Sequence, residues 1–184
     1  MKFILLKVKD IDESTVVEIL KPLLSNQIDV EHNDGYTIIY HHVSETSDIK
    51  NSLNSLSDSL LIPVFAYLSR DASKERLKVE LEFAKSVEQE RTSGIYDLKS
   101  SIILGCKVIN KEEILNYILD GSGITNDFIK SFAEANLNVS KAAEVLYVHR
   151  NTMIYKLDKL KEKTGFDLRE FKDSYVLYSL IEKK

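Results

Sequence analysis

The segment that decides the C-terminal fold comprises residues 138–157 and reads NVSKAAEVLYVHRNTMIYKL. Its pattern predicts a short helix over residues 138–146, a tight turn at residues 147–148 and a longer helix over residues 149–164, which Gly165 ends. Two helices of these lengths joined by a tight turn have the proportions of a helix-turn-helix. Ala142 and Ala143 have small side chains, which allow the two helices to cross closely.

The longer helix has one apolar face and one polar face when it is plotted at about 100° per residue. Its apolar stripe is formed by Met153, Ile154, Leu157 and Leu160, and its outward arc carries Thr152, Tyr155, Lys156 and Lys159. The acidic Asp158 and Glu162 lie at the flank of that arc. This arrangement suits a helix laid in the major groove of DNA, where donors face phosphates and base edges.

The first turn of this helix is predicted to read bases. Its free backbone N–H groups and the helix dipole favour a phosphate, and this turn reaches deepest into the groove. Arg150 can pair bidentately with guanine, and Asn151 can pair with adenine. The alternative is that His149 or Asn151 only caps the helix and that Arg150 is solvated.

The charge of the chain is divided unevenly. The 184 residues have a net charge of −4, but residues 1–123 hold 14 Lys/Arg against 20 Asp/Glu, whereas residues 124–184 hold 11 against 9. Residues 149–163 have a balance of +3. An acidic body with one basic helix face is typical of many dimeric DNA-binding proteins. A lysine-rich solvated helix face is the alternative explanation.

The C-terminal sequence resembles the helix-turn-helix of PucR/CdaR-type transcriptional regulators. Those domains carry the run N-x-S-x-A-A-x-x-L-x-V-H-R-N-T-x-x-Y-R-L followed by T-G-x-D, which is matched here at residues 138–157 and 164–167. The resemblance covers roughly residues 125–182. One difference is Lys156, where the family usually has arginine. A lysine keeps a phosphate contact but cannot make a bidentate one.

The first half of the chain alternates predicted strands and helices. The strands are expected at residues 2–9, 27–32, 36–43 and 61–68, and the helices at residues 12–25, 47–59 and 74–90. This order predicts a split βαβ, ferredoxin-like domain, with a hairpin turn at Asp34-Gly35 and with Pro63 at an edge or a strand start. The overall fold class is therefore α+β.

A degenerate cyclase-like (GGDEF-like) domain often precedes the DNA-binding domain in the family that the chain resembles. The hairpin at residues 31–36 would occupy the turn where active diguanylate cyclases carry paired glycines and adjacent carboxylates. This hairpin lacks both features, which are needed to hold a metal ion and a triphosphate. The resemblance therefore implies a domain without cyclase activity.

Two further regions complete the predicted organisation. Residues 95–120 are expected to be helical and to link the two domains, with the boundary at residues 121–123, so the domains are 1–121 and 122–184. A last helix is predicted over residues 167–182, with Asp167 and Glu170 at its start. The side chains predicted to form its buried stripe are Leu168, Phe171, Tyr175 and Tyr178. The aromatic residues among them are interpreted as part of the core or of a dimer seam.

The remaining candidate sites are weak. The single Cys106 excludes an internal disulfide framework, fits a reducing compartment, and is interpreted as a buried structural thiol. His32, His41 and His42 are considered as ligands of a metal ion. His41 and His42 are adjacent and point to opposite faces of a strand, so at most one of them can share a metal site with His32. No metal site and no cofactor are predicted. The apolar runs are too short for a membrane span or a signal peptide, so a cytoplasmic protein is expected.

We therefore expect a cytoplasmic homodimer that binds double-stranded DNA and regulates transcription, that is not an enzyme, and that responds to an unknown small-molecule effector if it responds to any. The predicted DNA-contacting residues are Ser140, Lys141, His149, Arg150, Asn151, Thr152, Tyr155, Lys156 and Lys159. The dimer surface is expected in residues 95–120 or 167–182. The alternative is a ligand- or nucleotide-sensing signalling protein whose helical domain mediates protein contacts.

Overall fold

The computed structural model describes residues 1–8, 12–24, 28–43, 45–70 and 73–181. The chain divides into two compact units, Met1–Lys107 and Val108–Lys184. The first unit contains a five-stranded sheet with helices, and the second is entirely helical in its described part. The predicted α+β class is confirmed.

The sheet of the first unit has the strand order β2-β3-β1-β4-β5. Its strands are β1 (Lys2–Val8), β2 (Asp29–Asn33), β3 (Tyr36–His41), β4 (Val64–Leu68) and β5 (Gly94–Tyr96). All pairs among β1 to β4 are antiparallel, and β5 is parallel to β4. Because β3 lies between β1 and β2, the first four strands have the split βαβ arrangement that the element order predicts.

Helices cover both faces of this sheet. The helices are α1 (Glu13–Leu20), α2 (Ser47–Leu60), α3 (Lys74–Glu90) and α4 (Leu98–Ile103). Side chains of α1 and α2, such as Val16 and Leu53, share one apolar cluster with Ile4 of β1. On the other face, the ring of Phe83 in α3 contacts the edge of the Tyr67 ring at 6.1 Å between centroids. Consequently β3 and β4 are buried along their whole length.

The β2–β3 hairpin turns where the sequence predicts it. Asp34 and Gly35 both have positive φ angles, 53° and 76°. This is the conformation that a two-residue type I′ turn requires, and Asp-Gly supplies it at little steric cost.

Several predicted boundaries differ from the structure. The helix over residues 12–25 ends at Leu20 and continues as a 3-10 turn, Lys21–Leu23, because Pro22 lacks the N–H that an α-helix needs. Pro63 immediately precedes β4, as expected of a strand start, but β4 is an inner strand, so the edge alternative is wrong. Lys9, Ser25 and Gln27, at the ends of predicted elements, lie outside the described residues.

The region 95–120 is not one helical link. It contains part of β5, then α4, then a separate helix α5 (Lys111–Leu119). Gly105 ends α4 in the left-handed conformation with φ 80°, and the amide of Cys106 donates to the carbonyl of Ser101. The two units therefore separate between Lys107 and Val108, whereas the sequence placed the boundary at residue 121.

The second unit consists of helices packed around one core. They are α5, α6 (Asn126–Glu134), α7 (Val139–Val145), α8 (Arg150–Thr164) and α9 (Phe171–Ile181). α5 packs against α8 and α9, and the ammonium of Lys111 donates to the Ser179 carbonyl at 2.9 Å. These contacts explain why α5 belongs to this unit. Fully buried side chains at its centre include Ile129, Phe132, Leu157, Leu160, Phe166 and Val176.

The last helix begins later than predicted and buries a different face. α9 starts at Phe171, because residues 168–170 form a turn after Asp167. Leu168 is buried as expected, but Phe171 is 73% exposed and Tyr175 is 46% exposed. The buried stripe predicted for this helix is therefore wrong, and Val176, Leu177 and Leu180 are the apolar side chains of α9 that face the core.

No helix in the described part of the chain combines the length and the apolar character needed to cross a bilayer.

Candidate nucleic-acid interface

Helices α7 and α8 form a closely packed pair. Asn138 caps α7, and its side-chain oxygen accepts from the amides of Ser140 and Lys141 at 3.0 and 3.1 Å. The side chains of Ala142 and Ala143 are buried where α7 meets α8. Larger side chains at these positions would push the helices apart, as the sequence predicts.

The turn between the two helices is a complete Schellman motif. The amide of Val148 donates to the carbonyl of Ala143 at 3.0 Å, and the amide of Tyr147 donates to the carbonyl of Glu144 at 3.2 Å. This motif requires a left-handed residue after the C-cap, and Tyr147 occupies that position with φ 52°. These bonds fix the direction in which the chain enters α8.

The first turn of α8 is held by His149 and is open to solvent. The ring Nδ1 of His149 accepts from the amide of Asn151 at 3.2 Å, so this nitrogen carries no proton in the capping form. Arg150, Asn151 and Thr152 are all exposed. The structure thus brings four consecutive polar side chains together at a helix N-terminus, where partial positive charge favours an anion.

The faces of α8 follow the plotted pattern. Met153, Leu157 and Leu160 are fully buried, whereas Thr152 and Tyr155 are exposed. Ser140 and Lys141 lie in the first turn of α7 and are exposed as well. Thr152 and Tyr155 of the predicted outward arc are therefore available on the surface of this unit.

Two of the predicted contact residues lie along the surface instead of extending from it. The ammonium of Lys156 lies 5.4 Å from the centre of the Phe128 ring, which is a cation–π distance. The ammonium of Lys159 lies beside Gly123, 3.7 Å from the position that a Cβ atom on this glycine would occupy. Both side chains are partly buried. Lysine side chains commonly pack their apolar stems on a surface in this way.

The acidic residues on the flank of α8 have basic partners. Asp158 forms an ion pair with Arg169 at 2.9 Å, and Glu162 forms one with Lys163 at 3.7 Å. Both pairs are largely exposed, so each contributes little to stability. They do reduce the negative potential beside the basic arc.

Arg169 and Asp167 form the most strongly bonded polar cluster of this unit. The guanidinium group of Arg169 donates two bonds to Asp167, at 2.8 and 3.0 Å, and Lys161 lies 3.2 Å from the same carboxylate. Burial raises the pKa of Asp167, but the bonds from Arg169 and Lys161 outweigh burial and lower that pKa to about 2. Because Lys161 belongs to α8, the cluster ties the C-terminal end of α8 to the segment that precedes α9.

The threonine and glycine of the T-G-x-D run end α8. The hydroxyl of Thr164 donates to the carbonyl of Leu160 at 2.8 Å and accepts from the amide of Phe166 at 3.1 Å. Gly165 adopts the left-handed conformation with φ 71°, as a residue in the C′ position does. The sequence predicted this glycine correctly, but it assigned Asp167 to the start of α9, where the structure places it in the cluster with Arg169.

Sequence reasoning missed three surface features of this unit. Tyr147 is 97% exposed, Phe171 and Tyr175 stack on each other in the open, and Arg169 bridges two carboxylates. The turn at residues 147–148 was recognised, but no local pattern indicates how far a turn side chain extends. The pairing of Arg169 with Asp158 spans a helix end, so it has no fixed sequence spacing.

The histidines and the cysteine of the first unit have the following surroundings in the described part of the chain. The described residues contain no group of three or more His, Cys, Asp or Glu side chains that could hold a metal ion. His32 contacts the hydroxyl of Thr37 at 3.0 Å, and the Nδ1 of the buried His41 accepts from the amide of Val43 at 3.3 Å. Cys106 is buried and forms no disulfide, as expected.

Among the known structures that are similar to this chain is one regulator from a bacterium. The crystal structure of the regulator of polyketide synthase expression from Bifidobacterium adolescentis is 17% identical, with a TM-score of 0.45 over 97% of this chain and 77% of that one.

Sequence comparisons identify the second unit. Carbohydrate diacid regulator of Escherichia coli (strain K12) is 30% identical over 64 residues, and the uncharacterized protein YxkF of Bacillus subtilis (strain 168) is 40% identical over 50. The segment matched to the Escherichia coli protein covers 35% of this chain, and the segment matched to the Bacillus subtilis protein covers 27%. Each segment spans only 17% of the relative's own length. The family model of the PucR C-terminal helix-turn-helix domain matches residues 127–182. Residues 127–182 are therefore similar to the C-terminal helix-turn-helix domain of PucR-type proteins.

Proposed function

We propose that this chain is a cytoplasmic transcriptional regulator that docks α8 in the major groove of duplex DNA. The observation that carries the proposal is the exposed first turn of α8, where His149 caps the helix and Arg150 extends into solvent. The opposite face of α8 is buried, so this helix can present only its polar arc to a partner. The similarity of residues 127–182 to PucR-type domains supports the same function.

The proposed roles follow from position. Arg150, Asn151 and Thr152 contact base edges, together with His149 and Tyr155, because the first turns of a recognition helix reach deepest. Ser140 and Lys141 contact a backbone phosphate from the first turn of α7. Lys156 and Lys159 contact phosphates that flank the groove, since both belong to the polar side of α8 and carry a positive charge.

Selection of bound sequences from random duplex DNA tests this function directly. We expect enrichment of two related half-sites with centres about one helical turn apart, because one helix-turn-helix covers only a half-site. The full chain should be used, with an Arg150→Ala variant in parallel. Absence of any enriched sequence would contradict the proposal.

Replacing Lys159 by alanine should reduce the slope of log binding constant against log salt concentration by about one unit. The expected reason is the loss of one phosphate contact and of the counterion that this contact displaces. The sequence preference should not change, because phosphate contacts carry no base information. The measurement is a salt titration of binding to a selected duplex.

The matched control for this variant is Lys107→Ala. Lys107 is an exposed lysine of the first unit, so its replacement removes the same charge without touching α8. The control should keep the slope of the unmodified chain. A Lys159→Ala slope equal to that of the control would remove Lys159 from the phosphate contacts.

We further propose that the chain acts as a homodimer and that α9 supplies part of the dimer surface. Phe171 and Tyr175 stack with ring centroids 6.4 Å apart, and both are exposed. With Tyr178 and Leu137 they line a groove of about 420 Å³ beside the end of α6. Their exposure contradicts the core interpretation for the two stacked rings and supports the dimer-seam interpretation.

Replacing Phe171 by glutamate should shift the chain from dimer to monomer. The new charge would have to be buried without a partner in the seam, which is strongly unfavourable. Sedimentation velocity over a concentration series measures the shift. Glu170→Gln, which changes an exposed side chain next to it, is the control and should leave the dimer intact. A Phe171→Glu variant with the same association constant as the unmodified chain would place the dimer surface elsewhere.

The first unit fits a regulatory domain without catalysis. Its split βαβ order supports the resemblance to a degenerate cyclase-like domain, and its hairpin turn carries Asp34 next to a single glycine, Gly35. The carboxylate of Asp34 lies 3.7 Å from the ammonium of Lys85. Turnover of GTP in the presence of Mg²⁺ would overturn this assignment.

A further inference from the structure

We propose that Tyr147, in the turn between α7 and α8, is a DNA-backbone contact: its phenol hydroxyl donates a hydrogen bond to a phosphate at the edge of the groove that α8 enters. This inference rests on the proposed function of α8. It adds a residue at which the PucR/CdaR-type run permits any amino acid, and to which the sequence assigns no function.

The backbone conformation of Tyr147 is unfavourable for its residue type. Its φ angle of 52° lies in the left-handed region, where a Cβ atom crowds the following carbonyl and where glycine or asparagine is preferred. The Schellman bonds at this turn are made by backbone atoms alone, so a glycine would make them equally well. The turn itself therefore gives no reason for a tyrosine.

The side chain of Tyr147 adds nothing to the core. At 97% exposure it is the most solvent-accessible of the large apolar side chains described. An aromatic ring in water gains no burial energy in the folded chain, which leaves the cost of the left-handed backbone without compensation from packing. A ring and a phenol hydroxyl held in this way are available to a partner.

The surroundings of Tyr147 favour an anionic partner. Residues 138–157 carry Lys141, Arg150 and Lys156 against Glu144 as the single acid. Tyr147 stands two residues before His149, the N-cap of α8, and the first turn of a recognition helix is the part that enters the groove. A side chain in the preceding turn is then beside the phosphate backbone. Tyrosine hydroxyls are among the common donors to phosphate oxygens.

The test compares Tyr147→Gly with the unmodified chain in binding to a selected duplex and to a random duplex of equal length. We expect affinity to fall by about two- to tenfold for both duplexes, which corresponds to one net hydrogen bond. The fall should be equal because a phosphate contact is independent of sequence. The salt slope should stay unchanged because tyrosine carries no charge. Tyr147→Phe, which lacks only the hydroxyl, should lose most of the same affinity.

The stability of the same variant separates binding from a structural role. Glycine relieves the left-handed strain, so the melting temperature of Tyr147→Gly should be equal to or above that of the unmodified chain. Leu61→Gly is the matched control, since Leu61 also has a φ angle of 52° and is 89% exposed, but it lies in the first unit. This control should bind both duplexes normally.

The outcomes distinguish this inference from the proposed function. Weaker binding at undiminished stability supports the contact. If Tyr147→Gly binds with unchanged affinity while Arg150→Ala still abolishes specific binding, the contact is overturned and the proposed function stands. Weaker binding together with a lower melting temperature would also overturn it, because the ring would then stabilise the turn. If the unmodified chain binds neither duplex, the proposed function and this inference both fail.

Discussion

Replacing Arg150 by alanine should abolish site-specific retardation of a cognate duplex while the fold stays intact. Arg150 is the first residue of α8 and is exposed, so its removal leaves no cavity and no buried group without a partner. A bidentate pair with guanine is worth about 1–3 kcal/mol, which corresponds to a loss of roughly 5- to 150-fold in affinity. Gel retardation with a selected duplex measures this loss, and circular dichroism checks the fold.

Two companion variants isolate the reason for that loss. Arg150→Lys keeps the charge but not the planar fork, so it should retain binding to random DNA and lose the preference for the selected duplex. Lys163→Ala removes a positive charge from the other end of α8, about 20 Å away along the helix axis. This variant should weaken binding to the selected and to the random duplex slightly and equally. Unchanged specific binding in Arg150→Ala would show that α8 does not read bases through this residue.

The sheet could be predicted as far as β4 and no further. Strands β1, β3 and β4 are apolar runs, the polar strand β2 precedes the hairpin turn at Asp34-Gly35, and β-α-β-β-α-β has few ways to fold with right-handed connections. Strand β5, Gly94–Tyr96, is three residues long and has no periodicity of its own. It becomes a strand because it pairs with β4, a contact that local sequence does not encode.

Helix α9 shows why periodicity alone can select the wrong face. Phe171, Tyr175 and Tyr178 recur at helical spacing, which is typical of a buried stripe. Val176, Leu177 and Leu180 lie on the opposite side of the same helix, and this side is the buried one. A helix with apolar residues on both sides has no sequence signal for which side faces its own core. The aromatic side remains available for another copy of the chain.

The buried side of α8 could be predicted, whereas the contacts that support this helix could not. The plot places Met153, Leu157 and Leu160 on the buried side, because a helix with a single apolar stripe has only one way to pack, but Ile154, Lys156 and Lys159 are half-buried. The left-handed backbone of Tyr147 belongs to the local end of α7, but tyrosine is not a residue type that indicates this conformation. The ion pair of Arg169 with Asp158 depends on how α8 meets the segment after it, and it has no residue spacing that a pattern could reveal. For the same reason the sequence could not show that Asp167 bonds to Arg169 and Lys161.

Replacing Asp167 by asparagine should lower the free energy of unfolding by about 2 kcal/mol at pH 7, because the carboxylate pKa is about 2 in the folded chain, below its ordinary value of 3.8. A lowered folded pKa gives stability that is fully present above the unfolded pKa and is lost as the pH falls through the folded pKa. The difference between the variant and the unmodified chain should therefore narrow by about half between pH 7 and pH 3. Denaturant unfolding of the full chain at several pH values measures it.

The pH dependence of the destabilisation by Asp167→Asn, more than its size, identifies the cluster of Asp167 with Arg169 and Lys161 as the cause. A cavity or a lost backbone bond at Asp167 would destabilise the chain equally at pH 7 and pH 3, whereas the bonds from Arg169 and Lys161 require an ionised carboxylate. Glu162→Gln removes an exposed carboxylate from α8 and should leave the free energy of unfolding unchanged at both pH values. A constant difference for Asp167→Asn would contradict the electrostatic account. DNA binding by the folded fraction of Asp167→Asn should be normal, because the cluster holds the C-terminal end of α8 and the proposed contacts begin at its N-terminal end.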